Sequence, residues 1–181
     1  MSLPANLSLQ QDFFRLFNLS SRFQIDSAAL EQGYLALQEQ VHPDKYSHLS
    51  EAERRLSMQW ATRVNEGYQT LRNPLSRARY LLSLHGVDTQ EDSNTAMPAD
   101  FLMQQMEWRE ALEETRHTEN SAALEELEQR VQHQTRLLQQ QLAIDIDETH
   151  DYAAASGIVR KLKFLEKLAE EIGSAFDELD S

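Results

Sequence analysis

The chain has 181 residues, a net charge of −13, 5 glycines, 4 prolines and no cysteine. The lack of cysteine excludes disulfides, thiolate metal sites and cysteine nucleophiles. No segment approaches the roughly 18 consecutive apolar residues that a membrane-spanning helix needs, and residues 1–10 lack the basic and apolar regions of a signal peptide. We therefore expect a soluble, cytoplasmic protein without a membrane partner.

The composition predicts an all-α fold, because Ala, Leu, Gln, Glu and Arg are abundant and no stretch shows the alternating pattern of a strand. Charge is unevenly distributed: residues 11–85 carry 8 Asp and Glu against 9 Lys and Arg, whereas residues 86–181 carry 22 against 8. The acidic part would repel a phosphate backbone, so nucleic acid is not an expected partner. The asymmetry indicates two units with different partners, although an ordinary solvated acidic surface explains the charge equally well.

In the first part, the sequence predicts helices over about 12–19, 27–41 and 50–71, and a fourth that begins after Asn73. Each of the two long helices carries apolar residues at three- and four-residue spacing along one face. These residues are Leu30, Tyr34, Leu37 and Val41 in one helix and Leu56, Trp60, Val64, Tyr68 and Leu71 in the other. A short polar loop joins the two helices, so they should pack as an antiparallel hairpin with residues 42–49 at an exposed tip.

Local signals mark the ends of the helices. Ser50 and Glu53 have the spacing of a capping box, which predicts the start of the third helix. Gly86 ends an apolar run and opens a polar segment, which predicts a break over residues 86–97. Pro98 suits the first turn of a new helix.

In the second part, the sequence predicts three helices over about 98–116, 120–142 and 149–178. Their connections are short, so an up-down-up bundle is the expected packing. The apolar face of the last helix is marked by Ile158, Leu162, Leu165, Ala169, Ile172 and Phe176.

The predicted tip of the hairpin carries the motif His42-Pro43-Asp44-Lys45. Pro43 fixes one backbone angle, Asp44 offers a carboxylate that an arginine could bind in a bidentate pair, and His42 supplies a donor or acceptor beside it. The alternative is a plain turn with a proline that stops the helix. No Ser or Thr is placed as a nucleophile that a His-Asp pair could activate, so catalysis is not expected here. His42, Asp44 and His48 lack the spacing of a known metal site, so metal binding is not expected either.

This motif and two later segments together resemble a J-domain. The later segments are Val64-Asn-Glu-Gly-Tyr68-Gln-Thr-Leu71-Arg-Asn-Pro74 and Arg77-Ala-Arg-Tyr80. The resemblance implies that His42, Pro43 and Asp44 contact a DnaK-type ATPase chaperone and promote ATP hydrolysis there, while this chain catalyses nothing itself.

One feature departs from the usual J-domain pattern. J-domains usually carry several Lys or Arg on the second helix, whereas residues 27–41 contain Glu31 and Glu39 and no Lys or Arg. The departure favours a specialised chaperone partner over a general one.

The helix that begins near Pro98 carries apolar residues on two faces. At about 100° per residue, Phe101 and Trp108 lie together, whereas Leu102 and Met106 lie on a different side. In the last helix, Phe164 lies about 100° from the main apolar stripe. These residues could simply be core, but adaptable methionines and an aromatic side chain edged by charges favour a binding surface.

Three segments are similar to the HscB family of J-type co-chaperones of bacterial iron–sulfur cluster assembly. They are residues 101–112, the His85-Gly86 junction and residues 159–168. The resemblance covers nearly the whole chain from about residue 11. It implies an L-shaped molecule with a disordered lead-in over 1–10, a J-domain over 11–85, a linker over 86–97 and a three-helix bundle over 98–181.

The family's partners are the chaperone HscA, which the J-domain engages, and the scaffold protein IscU, which the bundle binds. By position, the resemblance implies a scaffold-binding face of Leu102, Met103, Met106, Glu107, Arg109, Glu110, Glu114 and Phe164. It implies no cofactor and no metal. The sequence leaves open an adaptor that uses the same tip for a different client protein.

Overall fold

The computed structural model describes residues 10–41, 50–89, 91 and 97–179. Within them the regular structure is helical and contains no strand, which confirms the all-α prediction. The helices are α1 (Phe13–Leu16), α2 (Ser27–Val41), α3 (Glu51–Arg72), α4 (Pro74–Leu84), α5 (Ala99–Thr118), α6 (Ser121–Asp147) and α7 (Tyr152–Leu179). None of the described helices is both long enough and apolar enough to cross a membrane.

The chain divides into two compact units, with the boundary between Leu81 and Leu82 in the last turns of α4. In the first unit, α2 and α3 form the expected antiparallel hairpin. The Tyr34 ring stacks on the Tyr68 ring with centroids 4.0 Å apart, and the Ser57 hydroxyl donates to the Val41 carbonyl at 2.8 Å. Positions in α3 therefore fall as positions in α2 rise, as an antiparallel pair requires.

The predicted capping box at the start of α3 is present. Ser50 Oγ accepts from the Glu53 amide at 3.3 Å, and Glu53 Oε2 accepts from the Ser50 amide at 3.0 Å. These bonds satisfy two amide groups that have no partner within the helix.

The prediction that Leu56 belongs to the buried face of α3 is wrong. Leu56 is 37% exposed, whereas the neighbouring Ser57 is 0% exposed. The buried positions of α3 then follow from Ser57 to Trp60 and Val64 at helical spacing, so the packed face begins one residue later than predicted. A serine can occupy this place because its hydroxyl reaches a backbone carbonyl of α2.

The short helix α1 packs on α3 through aromatic side chains that require a glycine opposite them. A Cβ atom added to Gly67 would lie 2.8 Å from Phe13 Cδ1 and 3.1 Å from Phe17 Cε2. The Tyr80 hydroxyl accepts from the Phe13 amide at 3.0 Å, which ties α1 to α4. Burial raises the pKa of the Tyr80 phenol above its ordinary value.

In the second unit, α5, α6 and α7 pack against one another as a three-helix bundle. Asn120 caps α6 by accepting from the Ala123 amide at 3.1 Å. Glu119 and His150, in the two connections, adopt left-handed backbone angles with φ of 49° and 57°. The core of the bundle is apolar and includes Phe101, Trp108, Leu112, Leu124, Leu127, Val131, Leu142, Ile158, Val159, Leu162, Leu165, Leu168 and Ile172.

Ala169 was expected on the packed face of α7, but it is exposed, whereas Leu168 is buried. The larger side chain at the edge of the stripe takes the buried place because it removes more apolar area from water.

Candidate partner-binding face

The tip motif His42-Pro43-Asp44-Lys45 lies outside the described residues. The structure does describe the two helices that flank it. α2 ends at Val41, and α3 begins at Glu51 with Ser50 as its cap. The end of α2 is bonded to α3 through Ser57, and the first turn of α3 is closed by its own capping box.

A polar network joins the same two helices farther along the hairpin. The Tyr68 hydroxyl donates to Glu31 Oε2, and the Tyr34 hydroxyl donates to Asn65 Oδ1 at 3.0 Å. The hydrogen bond to Glu31, together with burial, raises the pKa of the Tyr68 phenol. Asn65 and Tyr68 belong to the J-like segment of the sequence, so part of that segment serves to fix the hairpin.

In the second unit, α5 turns apolar residues toward solvent. Leu102 is 42% exposed, Met103 61% and Met106 71%, whereas Phe101 and Trp108 are buried. The separation of the two sets on opposite sides of the helix agrees with their spacing in the sequence. Contiguous exposed apolar side chains of this kind are typical of a protein-binding surface.

Acidic side chains line one side of this apolar patch. Glu107, Glu110 and Glu114 are all exposed, and their spacing of three and four residues places them along one side of α5. The field on that side is therefore negative, which suits a partner with basic groups facing these glutamates.

Phe164 of α7 packs on the buried side of α5 in an aromatic cluster. Its ring centroid lies 6.0 Å from that of Phe101 in an edge-on arrangement and 6.5 Å from that of Trp108 in a stacked one. The two partner rings are buried, whereas Phe164 is half-buried. Phe164 is thus held rigidly by the core and still reaches the surface, as a binding anchor requires.

Two cations lie over these rings. The Arg109 guanidinium is 5.4 Å from the Phe164 centroid, and Arg109 Nη1 is 3.7 Å from Glu171 Oε2. The Lys161 ammonium is 5.3 Å from the Phe101 centroid. These contacts orient the charges along the edge of the patch.

Of the eight residues that the resemblance implied for scaffold binding, seven lie on α5, and the structure brings Phe164 of α7 into contact with one of them, Arg109. That these residues bind a scaffold protein stays a prediction. Sequence reasoning missed Lys161 and Glu171, which lie three residues before and seven residues after Phe164. Helical spacing places both on the same side of α7 as Phe164, so the spacing was a signal that could have found them.

The side chains of this face are suited to contact with a partner. Among the described residues, no group of three or more His, Cys, Asp or Glu side chains is placed to hold a metal ion. The chemistry of the face is apolar contact, aromatic anchoring and charge complementarity.

Comparison with known proteins extends over almost the whole chain. A family model described as the HSCB C-terminal oligomerisation domain matches residues 97–173. The co-chaperone protein HscB homolog of Aromatoleum aromaticum is 54% identical over 176 residues, which are 97% of this chain and 99% of that protein. The corresponding protein of Chromobacterium violaceum is 53% identical over 174 residues, 96% of this chain and 98% of the relative.

Two solved structures are similar to the fold. Chaperone HscB from Vibrio cholerae has a TM-score of 0.83 and 36% identity, and the match covers 93% of this chain and 99% of that one. Human co-chaperone protein HscB has a TM-score of 0.87 and 33% identity, with 93% of this chain and 83% of that one covered. The chain therefore belongs to the HscB family of non-enzymatic co-chaperones, whose fold is an N-terminal J-domain hairpin with a C-terminal helical bundle.

Proposed function

We propose that this co-chaperone stimulates the ATPase of a dedicated DnaK-type chaperone, HscA, and delivers the iron–sulfur scaffold protein IscU to it. The observation that carries the delivery half is the exposed face of Leu102, Met103 and Met106 on α5, the helix on which the half-buried Phe164 packs. Membership of the HscB family supports the choice of both partners.

The chaperone end of the proposal rests on His42, Pro43, Asp44 and Lys45. Asp44 would accept a bidentate pair from an arginine of the chaperone, Pro43 would limit the conformations of the segment, and His42 would add a hydrogen bond. Lys45 adds a positive charge next to this carboxylate. The anchored ends of α2 and α3 support the proposal, since they limit the positions from which the motif starts and ends.

The scaffold end of the proposal uses Leu102, Met103, Met106 and Phe164 as the apolar centre. Methionine side chains adapt to the shape of a partner, and a rigid aromatic side chain loses little entropy on binding. Glu107, Arg109, Glu110 and Glu114 form the charged rim. The partner should therefore present apolar side chains surrounded by Lys or Arg, and association should be faster at low salt.

The proposed mechanism is tethering. A J-domain over residues 11–85 binds the chaperone, and a bundle over residues 98–181 holds the client, with residues 86–97 as the linker. Joining two binding modules in one chain raises the effective concentration of client at the chaperone to about the millimolar range for a short linker. The chain contributes no metal or cofactor of its own, and the cytoplasm is the proposed compartment.

The steady-state ATPase rate of HscA tests the proposal, measured with the co-chaperone alone and together with IscU. We expect stimulation that IscU enhances and that His42→Gln and Asp44→Asn each abolish, because both changes remove groups that would contact the chaperone. Stimulation that is absent from the wild type, or that survives both substitutions, would contradict the proposal.

A second candidate function is self-association, which the description of the matching family model as an oligomerisation domain favours. The same exposed methionines would then meet a second copy of the chain. Sedimentation equilibrium distinguishes the two uses of this face. A monomer that binds IscU supports delivery, whereas a dimer that Met106→Glu dissociates supports self-association.

A further inference from the structure

We infer that Ser57 is a positioning residue for chaperone stimulation: it holds the carboxyl end of α2, and with it the point from which the His42-Pro43-Asp44 segment starts. The inference rests on the proposed function, because it assigns a role to a residue that supports the chaperone-binding motif without contacting the chaperone.

The geometry that carries the inference is one buried hydrogen bond. Ser57 Oγ donates to the carbonyl of Val41 at 2.8 Å, and both residues are buried. Val41 is the last described residue of α2, so this bond ties the end of α2 to α3.

This bond differs from those of several Ser and Thr hydroxyls in the other described parts of the helices. Thr62, Thr135 and Ser174 each donate to the carbonyl four residues earlier in their own helix, at 3.0, 2.9 and 3.1 Å. That pattern is the usual one for a hydroxyl within a helix. Ser57 instead reaches across to a neighbouring helix, 16 residues away in the sequence. Its bond therefore fixes one helix relative to the other.

The position of Ser57 makes this role specific. The remaining buried face of α3 is built from Trp60, Val64, Gly67, Tyr68 and Leu71, so an apolar residue at position 57 would fit the pattern of the face. Filling space does not require a hydroxyl, and a buried hydroxyl costs free energy unless it is bonded. The property that serine adds here is the bond to the end of α2.

A defined end of α2 should matter for binding to the chaperone. Without the bond, the last turn of α2 loses one restraint and the segment that begins at His42 starts from a wider range of positions. If only a fraction of these positions is competent, the apparent dissociation constant rises by the inverse of that fraction. The ATPase rate of the chaperone at saturating co-chaperone stays unchanged, because the complex that forms is the same.

The test measures the ATPase rate of HscA as the concentration of full-length Ser57→Ala co-chaperone is raised. The temperature is one at which circular dichroism shows the same helix content for Ser57→Ala as for the wild type. We expect the half-maximal concentration to rise about threefold to tenfold, the change that loss of one hydrogen bond brings, with an unchanged maximal rate. Ser57→Cys keeps the size of the side chain and a weak donor, so its increase should be smaller. Thr62→Ala removes an exposed hydroxyl from the same helix and should change nothing.

A merely structural role predicts a different result. The melting temperature of Ser57→Ala would fall, but the half-maximal concentration of the folded protein would not move, and this result would overturn the inference. If Ser57→Ala does not fold, Ser57→Val fills the site without a donor, and a folded Ser57→Val with an unchanged half-maximal concentration overturns the inference equally. Failure of the wild type to stimulate, or stimulation that survives Asp44→Asn, contradicts the proposed function itself and removes the basis of this inference.

Discussion

The two units of this protein join their helices with different side chains. In the α2–α3 hairpin, hydroxyl, amide and carboxylate groups lie in the seam between the helices, as Ser57, Tyr34 and Tyr68 illustrate. In the bundle, the seam is mostly apolar and aromatic, and α5 turns Met103 and Met106 toward solvent.

The difference indicates that the two units are held together by different interactions. Directional bonds in the hairpin fix the register of α2 against α3, because a hydrogen bond tolerates little displacement. The bundle obtains its stability from burial and leaves apolar area outside, where only a partner can cover it. The hairpin is therefore built for a precise position, and the outer face of α5 is built for contact area.

The sharpest test of this difference compares two equally exposed methionines. Met103 on α5 and Met58 on α3 are each 61% exposed. We expect Met103→Glu to weaken binding of IscU by about thirtyfold or more, because a charge would enter the apolar centre of the interface. Met58→Glu should change that affinity less than about twofold.

Isothermal titration calorimetry with IscU measures both affinities. Equal effects of the two substitutions would show that the exposed side of α5 has no special role in client binding. Such a result would contradict the proposed binding face while leaving the fold intact.

A second test compares two helical glycines, one in each unit. At Gly67 an added Cβ meets the Phe13 ring at 2.8 Å, whereas at Gly173 it meets nothing within 4 Å. Gly67→Ala should lower the free energy of unfolding by about 1–3 kcal/mol through overpacking. Gly173→Ala should raise it by about 0.5–1 kcal/mol, because alanine restricts the unfolded chain and favours the helix.

Denaturant unfolding followed by tryptophan fluorescence separates the two units. The chain has two tryptophans, Trp60 in the hairpin and Trp108 in the bundle. Trp60→Phe and Trp108→Phe backgrounds therefore report one unit each. If Gly67→Ala proves stabilising, the close packing of α1 on α3 is wrong.

The smallest expected effect concerns alkaline pH. The pKa of Tyr68 is raised above 10.0, chiefly by its hydrogen bond to Glu31. The folded state thus favours the neutral phenol, and its stabilising contribution is complete below pH 10.0. This contribution is lost as the pH rises from there through the higher pKa of the folded state. Tyr68→Phe should therefore flatten the alkaline decline in stability of the hairpin.

Urea unfolding of the Trp108→Phe background at several alkaline pH values measures that decline. The bundle, followed in the Trp60→Phe background, serves as the control because Tyr68 lies outside it. A decline of the same steepness with and without Tyr68 would exclude this tyrosine as its cause.

Periodic apolar spacing was sufficient to predict the helices and most of their packed faces. The capping box of Ser50 and Glu53 was also predictable, because it depends on residues only three positions apart. Helical geometry placed Leu102 and Met106 on a different side of α5 from Phe101 and Trp108, but it left open whether they are exposed. The resemblance to a J-domain depended on motifs, and so did the choice of partners.

Only the tertiary structure decided which of two neighbouring residues in α3 is buried. By spacing, Leu56 and Ser57 both suit the packed face, and hydropathy alone favours the leucine. The serine is buried because a carbonyl at the end of α2 lies within hydrogen-bonding distance, and that proximity exists only once the two helices pack. The contacts of Phe164 with Arg109 and the buried rings have the same origin. The sequence by itself determined the elements and their apolar faces, since these depend on local spacing, whereas bonds between distant residues depend on how the helices pack.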